Sequence, residues 1–523
     1  MTTGAPTASG TPTPEGHHRR WWTLAAVCGA TFMLLVDVTI VQVALPTIQR
    51  SLHASFTDLQ WVISAYALSL SSLLLTQGSL ADRFGRKRIF LVGLVVFAAS
   101  SLACGLAPNA GVLIGARAVQ GIGGGGMFAT GLALIGQDFR GRELGTAIAA
   151  WGATVGGAVA VGPLIGGSLT SALGWQWIFY VNLPIGAVTL GISAWRMVNV
   201  RDPQANRLDW AGLVTFSGSL FLLVLGLTRG NDDGWSSTPI LLSLSASAAL
   251  MVAFVAVERA QRRPMFDLAL FRNPAFVGVS VATFAIGAGT FAMFPFLTLY
   301  LQNDLGLSPL QGGLRLLPLT LLTFVVPLAT RSVANRAAPG LLLGVGLAVT
   351  AGGVALMHLI TPTSSWTALL PGFLVTGVGI GLANPAIAKV ALGVVPPERS
   401  GMASGISNTF RIGGLATGVS ALGAIFQQRL AASFSTSFGH TAPVVAKAVA
   451  AAGVAAASRL SGGAAGAVAT ARTGFVSGIE DLLVVGSVTV LVGAAFASLV
   501  RARNFHHHRA ASTVSGVAGD PAA

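Results

Sequence analysis

Runs of about 20 apolar residues recur along the whole chain, and each is long enough to cross ~30 Å of hydrocarbon. A backbone in lipid must satisfy its own hydrogen bonds, which leaves helices or a closed barrel. The runs do not alternate polar with apolar as barrel strands do, and Gly and Pro interrupt them without shortening them. The sequence therefore predicts an all-α polytopic membrane protein. Its 9% charged residues and mean hydropathy of +0.74 fit no soluble domain. Fourteen spans are expected near 21–46, 59–79, 88–107, 111–136, 144–170, 177–199, 209–228, 238–257, 276–300, 309–330, 339–360, 367–388, 401–426 and 479–500. The first run is too long, and too polar at Asp37, for a cleaved signal peptide.

Charge placement orients the spans. With both termini cytoplasmic, 22 of the 31 Lys and Arg fall on the inner side, 6 outside and 3 within spans. The formal net charge of +14 is thus read as loops facing an anionic leaflet, not as a nucleic-acid surface. Cys28 and Cys104 lie inside apolar runs and read as small buried hydrophobes. Residues 1–20 read as a disordered cytoplasmic tail, 21–199 as a six-helix bundle and 200–275 as two extra spans with basic linkers. Residues 276–500 read as a second six-helix bundle with a long extracytoplasmic loop at 427–478, and 501–523 as a cytoplasmic tail. Within that loop, 443–458 reads as short surface helices, not a span. A repeat supports two halves: Leu59-Gln60, Asp82-Arg83 and Gly93 are echoed at Leu310-Gln311, Asn335-Arg336 and Gly346.

Asp37 is the one acid well inside an apolar run. A charge there costs roughly 2.5–3.5 kcal/mol on insertion scales, so it reads as functional by default. Burial raises a carboxyl pKa and a neighbouring cation lowers it, so a group moving between such settings can carry a proton. An acid that pairs once and never titrates is the alternative. Arg117 is the expected partner, ~9 Å into its helix against ~15 Å for Asp37, unless it snorkels to the surface. Gln120 and the run Gly123–Gly126 let a helix or substrate approach the backbone. They form no phosphate loop, since Gly-Lys-Ser/Thr is absent from the chain, so no ATP site or other cofactor is expected. No metal site is expected either; His506-His507-His508 in the tail reads as incidental. Substrate-binding candidates are Gln42, Tyr66, Gln120, Phe291, Phe294 and Arg411.

Residues 78–90 pack Asp82, Arg83, Arg86, Lys87 and Arg88 between two spans, with Gly78 at the start and Gly85 permitting a tight turn. Taken alone, the basic residues could serve only to fix topology. The fifth span carries Gly152, Gly156, Gly162, Pro163, Gly166 and Gly167. Small residues at such spacing allow close helix crossing, and a Gly-Pro step reads as a hinge.

These stretches, with Trp175–Gly186, resemble the fourteen-span drug:proton antiporters of the major facilitator superfamily across residues 20–500. The resemblance implies two halves that rock about a central site, with Asp37 as the proton site and the 78–90 loop as a gate. It also implies that Gly162-Pro163 marks export. The expected activity is therefore proton-coupled efflux of a hydrophobic drug, antibiotic or secreted natural product across the cytoplasmic membrane, by a monomer and not an enzyme. An importer or facilitator of a small metabolite on the same fold is the alternative. The second half lacks a membrane acid and Asn335 replaces the loop acid, which disfavours multiply charged cations.

Overall fold

The computed structural model describes residues 14–201, 208–261, 264, 266–395, 400–438, 442–460 and 466–501; most of the two tails lies outside them. Among the described residues, fourteen helices are long and apolar enough to span a bilayer, and each overlaps one predicted run. In chain order they are α1 (Arg19–Leu52), α2 (Phe56–Phe84), α3 (Arg86–Gly105), α4 (Ala110–Asp138), α5 (Glu143–Ala172), α6 (Trp177–Arg196) and α7 (Trp210–Asp233). There follow α8 (Thr238–Ala260), α9 (Pro274–Asp304), α10 (Pro309–Ala329), α11 (Pro339–Leu359), α12 (Trp366–Gly393), α13 (Met402–Ser435) and α14 (Ala467–Ala497).

The repeated stretches fold alike. A capping box of Ser55 and Asp58 starts α2, and one of Ser308 and Gln311 starts α10. A Cβ on Gly93 would lie 2.8 Å from the Gly123 carbonyl on α4; one on Gly346 would lie 2.7 Å from the Ala383 amide on α12. The second helix of each repeat thus packs backbone to backbone on the fourth.

One apolar core joins the outer ends of both halves: Val43, Ile48 and Phe56 share it with Phe296, Phe426 and Phe475. Towards the inner side, where residues 78–90 lie, the core divides. Phe90, Phe97 and Phe139 centre one cluster in the first half, and Phe276, Leu343 and Ile387 another in the second. Hydrogen bonds also tie the halves near their outer ends. Gln302 Nε2 donates to Val43 O at 2.8 Å, Gln60 Nε2 to Val419 O at 3.0 Å and Leu310 N to Ser171 Oγ at 3.0 Å.

The region expected as a loop at 427–478 is largely helical. The helix containing α13 runs on to Phe438, and α14 begins at Ala467, not near 479. Phe475 explains the second change, because its ring packs edge-on against Phe426 at 5.1 Å. Short helices at Ala442–Ala452 and Ala455–Leu460 lie between. At 11 and 6 residues they are too short to span, as expected. They are not merely surface helices, since Val445, Val449, Ala450 and Ala457 are buried in the outer core. Cations of this outer region find acids: Lys447 Nζ lies 2.8 Å from Asp232, Arg429 Nε 3.1 Å from Asp481 and Arg472 Nε 3.2 Å from Asp304.

Candidate functional site

Five helices of the first half converge on Asp37, which is fully buried on α1. Its Oδ2 accepts from Arg117 Nη1 of α4 at 2.5 Å. Its Oδ1 accepts from Gln120 Nε2 at 2.9 Å and from Asn182 Nδ2 of α6 at 3.2 Å. Asn182 also donates to Ser101 Oγ of α3 at 3.0 Å. Arg117 has further partners: Nε donates to Val62 O of α2 at 3.2 Å and Nη1 to Gln120 Oε1 at 2.8 Å. Its guanidinium lies 4.1 Å from the Tyr66 ring centre, within cation–π range.

Arg117 is only 2% exposed, so it pairs inward instead of snorkelling. This arrangement keeps a guanidinium satisfied whether or not Asp37 is charged. If the carboxyl takes a proton, Arg117 retains a backbone carbonyl, an amide oxygen and an aromatic face. Asn182 and Ser101 were not among the site residues expected from the sequence. Asn182 lies in the Trp175–Gly186 stretch that carries the family resemblance, but neither residue has a spacing pattern that points to Asp37.

The other candidates are spread more widely. Tyr66 and Gln120 belong to the Asp37 network, while Gln42 is buried farther along α1. Phe291 and Phe294 stack at 6.0 Å where α9 departs from α-helical geometry, just before Pro295. Arg411 lies in the second half, its Nη2 donating to Asn384 Oδ1 of α12 at 3.2 Å.

The basic stretch binds its own half. Arg86 Nε and Nη2 donate to Asp82 Oδ1 at 3.1 and 3.0 Å, and Nη1 to Ala133 O of α4 at 3.3 Å. Lys87 Nζ donates to Ala194 O in the last turn of α6 and to Met197 O just beyond it, at 2.7 and 2.9 Å. Arg83 lies over the ring of Phe84. Gly85 has φ +106°, and a Cβ there would collide with the Asn199 side chain, whose Cγ would be 2.6 Å away. Gly85→Ala is therefore expected to cost about 1–3 kcal/mol of stability, read as a lowered melting temperature in detergent. Gly78 has open space around it.

α5 carries two stripes of close approach. Gly166 packs on α1, where an added Cβ would lie 3.0 Å from Ile40 Cα, and Gly162 faces Thr39. Gly156, Pro163 and Gly167 face α10, opposite Phe324, Gly313 and Leu310. Thr320 Oγ1 of α10 donates to Ala160 O in the same stripe at 3.0 Å. Gly152, nearer the inner end, has nothing within 4 Å of an added Cβ. α5 is thus joined to its own half and to the other half at once, over its outer part.

The model for the Major Facilitator Superfamily matches residues 27–419. The chain belongs to that superfamily. A tetracenomycin C resistance and export protein of Streptomyces glaucescens is 32% identical, over 94% of this chain and 93% of its own. A multidrug efflux pump of Mycolicibacterium smegmatis is 31% identical, over 94% and 97%. A puromycin resistance protein of Streptomyces alboniger is 35% identical, over 78% and 82%. Among solved structures, an inward-facing bacterial homologue of the human lysosomal transporter Spinster superposes with a TM-score of 0.61 at 18% identity, covering 95% of this chain and 98% of that one. That likeness concerns the fold alone. Superfamily, helical architecture and multi-pass membrane character agree with the sequence expectations.

Proposed function

We propose that this protein exports a hydrophobic drug or antibiotic across the cytoplasmic membrane in exchange for protons, with both termini in the cytoplasm. Relatives named for resistance and export match over nearly the whole chain, which supports the direction. The observation that carries the coupling is Asp37, fully buried and held by one cation and two neutral amides. Such a carboxyl can lose its charge without leaving Arg117 unpartnered. Joined outer cores and divided inner cores support a site open to the inside, from which the halves would rock about α5.

The test uses everted vesicles, in which the cytoplasmic face points outward. An aromatic antibiotic such as tetracenomycin C should accumulate when the vesicle interior is acid, and a protonophore should abolish this. Uptake indifferent to the pH gradient would refute the coupling. Accumulation only under the opposite gradient would favour an importer.

Asp82 enters the same cycle as part of the clamp that holds α2, α3 and α4 at the inner side. Asp82→Asn should slow turnover about 2–5-fold, as expected for losing a half-exposed ion pair, while KM stays nearly constant. A pure KM effect would count against a gating role.

A further inference from the structure

Arg411 lies nine residues into α13 from Met402, and Asn384 nine residues from the end of α12 at Gly393. Both are therefore ~14 Å from the inner ends of their helices. A guanidinium at that depth needs a partner. It has a neutral amide, Asn384, while its Nε is buried with no hydrogen-bond partner.

The acids of the second half are spoken for or placed elsewhere. Asp304 pairs with Arg472, and Asp481 with Arg429. Glu480 is adjacent to Asp481 on α14, and Glu398 precedes α13 in sequence and lies outside the described residues. Asp37 already pairs with Arg117. Among the described residues, no carboxylate bridges to Arg411.

Arg411 also lies on a polar stripe. Ser404, Asn408 and Arg411 recur at helical spacing and are only partly buried, whereas Ala403, Ile406, Ser407 and Thr409 are buried. A Ser-Asn-Arg stripe at membrane depth belongs on a water-filled cleft, not against lipid. The neighbours agree. Ile412 packs against the joined outer core and the inner core of the first half, and Phe291 against the joined outer core and the inner core of the second half. Arg411 therefore lies where α13 faces the first half, within two turns of the contacts of Gly405 with Leu75 and of Thr409 Oγ1 with Ser71 O.

We propose that Arg411 and Asn384 form the seat for an anionic head group, a carboxylate or acidic phenolate, on an otherwise apolar cargo. The planar fork of guanidinium donors matches such an oxyanion, and the Nε proton is unused. This reading rests on the export function and names the class of molecule exported. With one proton exchanged per monoanion, two positive charges would move inward per cycle.

The test is binding to the full-length protein in detergent, which needs no gradient and so stands apart from coupling and direction. The probes share one fluorescent skeleton: pyrenebutyrate, its methyl ester and the matching trimethylammonium compound, titrated in chloride-free gluconate buffer. The acid should bind about tenfold more tightly than the ester or the ammonium compound, the worth of one charge-assisted pair. Arg411→Gln should bring acid and ester to equal affinity, and Arg411→Lys should keep part of the preference. Asn384→Asp should also abolish the preference by supplying an internal counter-charge, and it should raise the melting temperature; this variant serves if Arg411→Gln unfolds. An acid that binds no better than its ester to the native protein, or equally well to the native protein and to Arg411→Gln, overturns the proposal. A chloride-dependent rise in melting temperature that requires Arg411, with no preference for the acid, assigns the seat to a resident inorganic ion and likewise overturns it.

Discussion

Asp37→Asn should reduce proton-driven export to the level of vesicles lacking the protein, while the variant still folds and inserts. Asparagine keeps the shape of the carboxyl and one acceptor oxygen, but it cannot take up or release a proton. It imitates the protonated carboxyl, a state that a coupled carrier must tolerate in every cycle. Removing one partner of a buried ion pair ordinarily costs about 3–5 kcal/mol. Here the cost should fall near 2 kcal/mol, because Arg117 keeps Val62 O, Gln120 Oε1 and the Tyr66 ring. Two measurements check this: pH-gradient-driven accumulation in everted vesicles, which should vanish, and exchange of labelled for unlabelled substrate without a gradient, which should persist. Export at the native rate under an imposed gradient would remove Asp37 from the mechanism. Loss of exchange as well would make the residue structural.

What could be read from the sequence divides along physical lines. Spans were legible because each apolar run meets the bilayer on its own, whatever its partners. The Asp37–Arg117 pair was legible because two charges at similar depth in lipid have few other partners. Asn182 was not: neutral amides are common in helices, and its role depends on α6 lying beside α1. The region 427–478 misled because its cues are non-local. Arg472 looked like a loop charge, yet it sits inside a helix because Asp304, far away in sequence, receives it. The Ala-rich helix at Ala442–Ala452 looked like surface because alanine gives little burial signal, while Val445 and Val449 fill the outer core. Tyr66 was expected to touch substrate; its ring lies on the Arg117 guanidinium, a contact that depends on α2 lying beside α4 and that no local pattern announces.

A disulfide across the outer ends of α5 and α10 is expected to stop the cycle altogether. Ser171 and Leu310 belong to different halves, and Leu310 N lies 3.0 Å from Ser171 Oγ. A Cβ on Gly167, one turn away, would lie 2.9 Å from Leu310 Cα. Backbones this near fit the Cα separation of about 4.4–6.8 Å that a disulfide requires. Alternating access needs this contact to open when cargo leaves on the outside, because the joined core and the small-residue stripe of α5 close that route. Oxidation of the Ser171→Cys, Leu310→Cys double variant should therefore abolish accumulation in the cross-linked fraction, and a reductant should restore it. Each single variant, treated alike, controls for the native Cys28 and Cys104. Binding from the inner side should survive the cross-link, since the buried inner cores of the two halves form separate clusters, bridged at their margins by side chains such as Leu75 and Ile412. Undiminished transport through the cross-linked protein would mean that the halves do not part at α5 and α10, and that cargo leaves by another route.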